Sequence, residues 1–159
     1  MEKNENILNE LKITKGIDLI KLIESEPPIK YLWNGIPEGS TGLITGVAKT
    51  GKTTFAENLA LSMAVGKKSF FEYDMDGIPK RVLFVNLEES YQIKSRRNKK
   101  QINIILKNEL ELFIQNYYYT PIDFTCFFNT DKDWKLLKSY IYVIKPDVIF
   151  LYSISRVCM

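Results

Sequence analysis

The chain has 159 residues and no histidine, and its 22 basic and 19 acidic side chains leave a net charge of +3. The length suits one domain. Without histidine, a Ser-His-Asp triad, a papain-like Cys-His pair and a histidine-ligated zinc site are excluded, so a general base must be a carboxylate, a lysine, a tyrosine or a thiolate. The net charge is too small to indicate a nucleic-acid partner by itself.

The cysteines and the lengths of the apolar runs indicate the cellular compartment of the protein. The two cysteines, Cys126 and Cys158, form no CxxC pair, which favours a reducing environment. The N-terminus has no apolar signal-peptide core, and no apolar run approaches the roughly 20 residues of a membrane helix. We therefore expect a cytoplasmic protein with no membrane partner.

The first predicted element is a short amphipathic helix. Aliphatic side chains recur between residues 17 and 23, and Pro27-Pro28 follows. The prolines end the helix because proline lacks a backbone N–H and fixes φ. We interpret residues 1–26 as an N-terminal helical segment and residues 27–159 as the main domain.

Strands and helices then alternate along the chain. Near-continuous apolar runs, which are typical of strands covered on both faces, occur at Leu43–Thr45, Val82–Leu87 and Val148–Tyr152. Helical patterns cover residues 55–63, 91–108 and 134–144. This alternation predicts an α/β fold with a mainly parallel central sheet.

Two segments leave alternatives open. Residues 109–130 contain strand-like apolar clusters at Phe113-Ile114, Tyr117–Tyr119 and Phe124–Phe128, with Pro121 as a break, and we expect one strand there without a fixed register. The three tyrosines suit core packing better than stacking on bases. Residues 94–100 carry five basic side chains, for which a solvated helix face is a simpler interpretation than a phosphate-binding surface.

The motif that carries chemistry is a GxxxxGK[ST] phosphate loop, placed after an apolar run and before a helix. With the next threonine, its residues are predicted to bind nucleotide: Gly46, Val47, Ala48, Lys49, Thr50, Gly51, Lys52, Thr53 and Thr54. The glycines permit turns in which backbone N–H groups form an anion nest, and the helix dipole adds to it. Lys52 supplies a mobile positive charge for the β- and γ-phosphates. The Thr53 hydroxyl is a hard oxygen ligand suited to Mg²⁺.

A pair of carboxylates follows the second predicted strand. Glu88, with Glu89 beside it, comes directly after Leu87, at the edge of the sheet where ligands bind in open α/β folds. Glu88 could orient and deprotonate a water aimed at a γ-phosphate. It could equally be a solvated residue that caps the next helix. Placement alone leaves both interpretations open.

Together these segments resemble the RecA-like AAA family ATPases of the RepA type, relatives of a hexameric plasmid replicative helicase. The resemblance is carried by residues 27–39, Val82–Glu89, Arg96-Arg97, residues 145–150 and Ile154-Ser155-Arg156. It implies a P-loop NTPase with a RecA-like three-layer fold, ATP and Mg²⁺ as ligands, and Glu88 as the catalytic base beside Lys52. It also implies a ring-shaped homo-oligomer that acts on DNA.

The chain departs from this family in two places. Tyr152 stands where the Walker B aspartate is expected, and that aspartate helps to hold Mg²⁺. Asp147 begins its predicted strand and is therefore too distant to replace it. The sequence reaches Met159 before the strand that the family places between its Walker A and Walker B strands, so we expect a sheet that is incomplete at its C-terminal end.

Three functions follow from the sequence. The first is an ATPase module related to RepA-like helicases. The second is a degenerate, truncated nucleotide-binding protein with little or no turnover, which Tyr152 favours. The third, a P-loop kinase acting on a small molecule, requires an arginine-rich lid, for which Arg96-Arg97 is the only sequence candidate; it ranks last.

Overall fold

The computed structural model describes residues 14–87, 91–105, 109–121, 124 and 128–152. The chain divides into two compact units, residues 1–30 and residues 31–159, which are described separately.

The first unit contains helix α1 (Gly16–Ser25), at the position predicted from the sequence. Its C-terminal neighbour Glu26 is extended, with φ −81° and ψ 149°. This is the conformation that a residue before proline prefers, because the ring of Pro27 clashes with a preceding helical residue. The prolines therefore end the helix, as predicted.

Within its described residues, the second unit combines one parallel sheet with four helices and two short hairpins. In chain order its elements are β1 (Tyr31–Trp33), β2 (Ile36–Pro37), α2 (Lys52–Ala64), β3 (Ser69–Phe70), β4 (Tyr73–Asp74), β5 (Val82–Asn86), α3 (Tyr91–Ile105), α4 (Leu110–Asn116), β6 (Tyr117–Tyr119), α5 (Asp131–Ile144) and β7 (Val148–Tyr152). The parallel sheet has the order β6-β5-β7, while β1–β2 and β3–β4 are antiparallel pairs.

The central strand β5 is covered on both faces. Val82, Leu83, Phe84 and Val85 all have 0% of their surface exposed. Since successive strand residues point to opposite faces, Val82 and Phe84 join the core cluster that contains α2, whereas Leu83 and Val85 join a second cluster with Leu137 of α5. Helices therefore lie on both faces of the sheet, which confirms the predicted α/β class and its parallel sheet.

Helix α2 packs against β5 and β7 through a face of small residues. Ala56, Ala60 and Ala64 recur every four residues and are buried, with Leu59 and Met63 beside them. Residues four apart lie on the same side of a helix. The alanines allow the helix to approach the sheet closely, and the first turn of α2 is thereby placed near the carboxyl ends of the strands.

The strand expected at Leu43–Thr45 is not formed. Residues 41–47 have no regular secondary structure, and Leu43 and Ile44 are 69% and 43% exposed. A strand needs a neighbour to satisfy its backbone N–H and C=O groups. In the part of the chain that the structure describes, no strand lies beside these residues, and β7 pairs with β5 alone.

The expected strand within residues 109–130 exists, but it is shorter than the apolar pattern indicated. Strand β6 pairs in parallel with β5, with Tyr117 opposite Val82. Phe113 and Ile114 belong instead to helix α4, where Phe113 packs on the core while Ile114 is 66% exposed. Two adjacent apolar residues, one buried and one exposed, are compatible with a helix as well as with a strand. The short Phe113-Ile114 pair therefore could not distinguish the two structures from the sequence. Residues 122–123 and 125–127 lie outside the described residues.

Among the described residues, no helix is both long and apolar enough to cross a membrane.

Tyr117 makes the stability of this core sensitive to alkaline pH. Burial raises the pKa of its hydroxyl well above the ordinary value. Tyrosine in the unfolded chain loses its proton near pH 10, while Tyr117 in the folded chain keeps it. The stabilisation that the neutral Tyr117 hydroxyl contributes is therefore fully present below about pH 10. It is lost as pH rises from there through the pKa of Tyr117 in the folded chain.

We expect the free energy of unfolding in urea to fall between about pH 9 and about pH 11. Tyr117→Phe removes the titrating hydroxyl and should make this fall smaller, whereas Tyr142→Phe, at a position that is 80% exposed, should leave it unchanged. An identical pH dependence in all three proteins would contradict the prediction.

Candidate nucleotide-binding site

The glycines of the phosphate loop adopt conformations that few other residues can. Gly51, with φ +86°, is the N-cap of α2, and Gly46 has φ +155°. A Cβ on Gly46 would lie 3.2 Å from the Thr50 hydroxyl oxygen and 3.7 Å from the side-chain stem of Lys52. Both positions favour glycine because a Cβ restricts positive φ. These turns bring the chain from residues 41–47 directly into the first turn of α2.

Lys52 folds back across the loop. Its ammonium donates hydrogen bonds to the carbonyl oxygens of Gly46, at 2.8 Å, and Val47, at 2.7 Å. The Thr50 hydroxyl donates to the same Val47 oxygen at 2.8 Å. A lysine ammonium on a flexible stem can exchange such neutral acceptors for the oxygens of an anion. The loop thus holds a positive charge in position for a phosphate group.

The helix that follows adds to this positive potential. Helix α2 has 13 residues, begins at Lys52 and has no acidic residue in its first turn. The unpaired N–H groups and the dipole at a helix N-terminus attract anions. Loop, lysine and helix end therefore lie together, in an arrangement that can attract an anion.

Tyr152 reaches this site from the end of β7. Val148, Phe150 and Tyr152 alternate toward the α2 face of the sheet, and Tyr152 lies opposite Asn86 in the parallel register. Its hydroxyl is 2.5 Å from the hydroxyl oxygen of Thr53, in a hydrogen bond that joins residues 99 apart in the sequence. In the sequence, Tyr152 stands where the family resemblance places an aspartate. In the structure, its side chain contacts Thr53 of the loop directly.

Around Thr53, the described residues supply no cluster of carboxylates for a Mg²⁺ ion. A hard divalent cation prefers several oxygen ligands, with carboxylates prominent among them. The hydroxyl of Thr53 donates its proton to the Tyr152 hydroxyl, which leaves the lone pairs of the threonine oxygen available. Over the described ranges, no group of three or more His, Cys, Asp or Glu could hold a metal ion. The assignment of Thr53 as a Mg²⁺ ligand remains a prediction.

Asp147 lies at the opposite end of β7, as its place in the sequence implied. Its carboxylate accepts a hydrogen bond from the backbone N–H of Arg81 at 2.7 Å, and its own N–H donates to the Arg81 carbonyl at 2.8 Å. It joins the starts of β5 and β7, and it does not substitute for an acidic group beside Thr53.

Glu88, the predicted base, lies outside the described residues. The last described residue before it is Leu87, whose backbone N–H donates to the Tyr152 carbonyl at 2.7 Å. The chain therefore enters the Glu88 segment from the carboxyl end of β5, beside the residue that contacts Thr53. The role of Glu88 stays a prediction.

The basic run on α3 divides between two faces. Arg96, Lys99 and Lys100 are exposed, which agrees with a solvated helix surface. Lys94 instead turns inward, and its ammonium lies 3.9 Å from the ring centre of Phe84 and 4.3 Å from that of Tyr119. A cation above an aromatic face at this distance is attracted to the ring electrons.

Arg97 forms the main ion pair between α3 and α2. Its guanidinium donates to both carboxylate oxygens of Glu57, at 2.5 and 2.9 Å, and the Glu57 side chain is 0% exposed. The Gln101 side-chain amide donates to the same Glu57 carboxylate at 3.5 Å and to Asn58 at 2.9 Å. The pair fixes α3 to the helix that carries the phosphate loop.

Sequence reasoning missed this inward-facing polar stripe. Its members on α3 are Lys94, Arg97, Asn98 and Gln101. Their spacing of three, four and seven residues is the spacing of one helix face. This spacing could have indicated a buried helix face, but buried faces are normally recognised from apolar residues. The partner Glu57 also lies in a different helix, so the sequence does not show the pairing.

The loop, the helix that follows it and the parallel sheet define a P-loop nucleotide-binding fold of the NTPase type. A family model described as an AAA domain matches residues 9–140. The chain therefore belongs to the AAA-type P-loop ATPase family, whose members bind nucleotide. The match ends within α5, so β7 and Tyr152 lie beyond it. A search of curated proteins found no match.

The Glu57–Arg97 pair yields a stability prediction. Arg97→Ala leaves a buried carboxylate without its cation, and removal of one partner of a buried ion pair costs about 3–5 kcal/mol. We expect a loss of about this size in the free energy of unfolding, measured with urea. Arg96→Ala changes the same residue type at the adjacent exposed position and should cost less than about 0.5 kcal/mol. Equal losses in the two variants would show that the pair does not hold the helices together.

Proposed function

We propose that this chain is the ATP-binding module of an ATPase related to the RepA-like replicative helicases. The observation that carries the proposal is the convergence of the Lys52 ammonium, the loop backbone and the N-terminus of α2 on one point. Membership in the AAA family supports it. The likeness to RepA-type proteins depends on the sequence resemblance described above.

Binding would proceed by exchange of partners at the loop. The β- and γ-phosphates replace the Gly46 and Val47 carbonyls as acceptors for Lys52, which gains a charge-assisted hydrogen bond in the exchange. The positive end of α2 stabilises the same phosphates. In the helicase-related proposal, Glu88 takes a proton from a water that attacks the γ-phosphate; the bond from the γ-phosphorus to the β–γ bridging oxygen breaks, and ADP and inorganic phosphate are released. Several copies would assemble into a ring around DNA.

A second candidate function is nucleotide binding with little or no turnover. The specific observation that favours it is the hydrogen bond between Tyr152 and Thr53, where the family resemblance leads us to expect an aspartate. The kinase alternative loses support, because Arg97 is bound to buried Glu57 and is thus committed to the helix interface.

The phosphate-loop proposal predicts that Lys52→Ala abolishes ATP binding. The change removes the charge that would bind the β- and γ-phosphates, and a hydrogen bond to a charged group contributes about 1.5–3 kcal/mol. Isothermal calorimetry with ATP provides the measurement. Lys100→Ala removes a lysine from the exposed face of α3 and serves as the control. Unchanged affinity in the Lys52 variant would refute the assignment of the loop.

The choice between the two candidate functions depends on phosphate release. We expect release that is very slow or absent, because the carboxylate expected beside Thr53 is replaced by Tyr152. Turnover of about 1 s⁻¹ or above, which is ordinary for enzymes, would contradict the low-turnover function. If turnover is observed, Glu88→Gln should remove it and leave the calorimetric affinity for ATP intact.

A further inference from the structure

A cluster of aromatic side chains packs on the first turn of α2. Phe55 belongs to that turn, and its backbone N–H donates to the carbonyl oxygen of Gly51 at 2.9 Å. Three rings surround Phe55, those of Trp33, Phe70 and Phe71, with centroid distances of 5.6, 5.3 and 5.4 Å. We propose that the exposed ring of Phe71 binds the base of the nucleotide whose phosphates the loop holds. This inference rests on the proposed nucleotide binding.

Phe71 presents the open surface of this cluster. It is 65% exposed, whereas Trp33 is 8% exposed and Phe55 and Phe70 are half-buried. The Phe71 ring lies against the rings of Phe55 and Phe70, which limit its movement on one side and leave the other side to solvent. Every nucleobase has a π-face that can stack on such a ring, and stacking of this kind contributes strongly to nucleotide affinity.

The backbone places Phe71 at the tip of a two-residue hairpin turn. Strands β3 and β4 leave only Phe71 and Glu72 between them, with φ +49° and +64°. The β1–β2 hairpin has the same kind of turn, but there Asn34 and Gly35 occupy the two positions, and these residue types adopt positive φ readily. A bulky side chain at positive φ is strained, and such strain is concentrated at functional positions. The strain at Phe71 therefore supports a role for its ring.

The cluster lies on the open flank of α2, close to the loop. Phe55 follows Lys52 by three residues, which is about 4.5 Å along the helix axis. Residues two apart, such as Phe55 and Glu57, lie on opposite sides of a helix. The Glu57 side is occupied by Arg97 of α3. A base joined through its ribose to phosphates at Lys52 would therefore find an exposed ring on the Phe55 side.

The charge of the hairpin favours a neutral base as the occupant. Glu72 and Asp74 are exposed carboxylates on either side of the tip. They would repel the phosphate backbone of a nucleic acid, which binds proteins mainly through basic side chains. An adenine base carries no charge, and its exocyclic amino group is a hydrogen-bond donor that a carboxylate can accept. The hairpin thus complements the base, while Lys52 complements the phosphates.

The experiment separates binding of the base from binding of the phosphates. Calorimetric titrations in one MgCl₂ buffer compare ATP with inorganic tripolyphosphate, which has no base. Phe71→Asn removes the ring, and asparagine tolerates the positive φ of the turn. We expect the ATP affinity of this variant to fall by at least about fivefold, while its tripolyphosphate affinity changes by less than about twofold.

Matched variants provide the controls. Tyr142→Asn removes an aromatic side chain that is 80% exposed on α5, the helix on the opposite face of the sheet, and it should change neither affinity. Phe71→Tyr keeps a stacking ring and should keep the ATP affinity within about threefold. The tyrosine variant carries the comparison if tripolyphosphate binds too weakly to measure. Thermal melts establish that each variant is folded, and Phe71→Leu, which keeps an apolar side chain without a ring, replaces the asparagine variant if that one is not.

Several results would overturn the base site while the phosphate-loop function stands. Unchanged ATP affinity in Phe71→Asn would do so, as would equal losses for ATP and tripolyphosphate or equal losses in the asparagine and tyrosine variants. If Phe71→Asn loses affinity for a single-stranded oligonucleotide but keeps its affinity for ATP, the ring binds nucleic acid instead. If the folded, unmodified chain binds neither ATP nor tripolyphosphate, the proposed function itself fails, and the inference fails with it.

Discussion

The burial of β5 is the constraint on which the rest of this structure depends. Four successive residues of this strand are removed from water, which is possible only with strands on both sides and helices on both faces. One face of β5 packs against α2 and the other packs against α5. The parallel register with β7 then determines which residue of that strand stands beside the first turn of α2. Core and site are thus set by the same strand.

Elements with a strong local pattern could be predicted from the sequence. The apolar runs of β5 and β7, the stripe of α5 and the proline end of α1 each depend on neighbours within a few residues. The GxxxxGK[ST] spacing is local in the same way, so the loop was recognisable at once. Leu43–Thr45 shows the limit of such patterns, because an apolar run forms a strand only when another strand is present to pair with it.

Contacts between distant parts of the chain were not predictable. Glu57 and Arg97 each appear in the sequence as one more charged helix residue, and only the fold brings them together in the interior. Likewise, the resemblance gave Tyr152 its significance as a departure, but not its contact with Thr53. That contact depends on the register of β7 against β5 and on the closeness of α2, and neither is encoded near position 152.

The reach of the Tyr152 side chain to the loop also has an evolutionary consequence. Tyrosine and aspartate codons differ in a single base, and the strand that carries position 152 presents either side chain to the same face of the sheet. A lineage could therefore exchange a phenol for a carboxylate beside Thr53 in one mutational step, with the backbone pairing of β7 unaffected. Such a step would alter the chemistry of the loop while the fold around it is inherited unchanged.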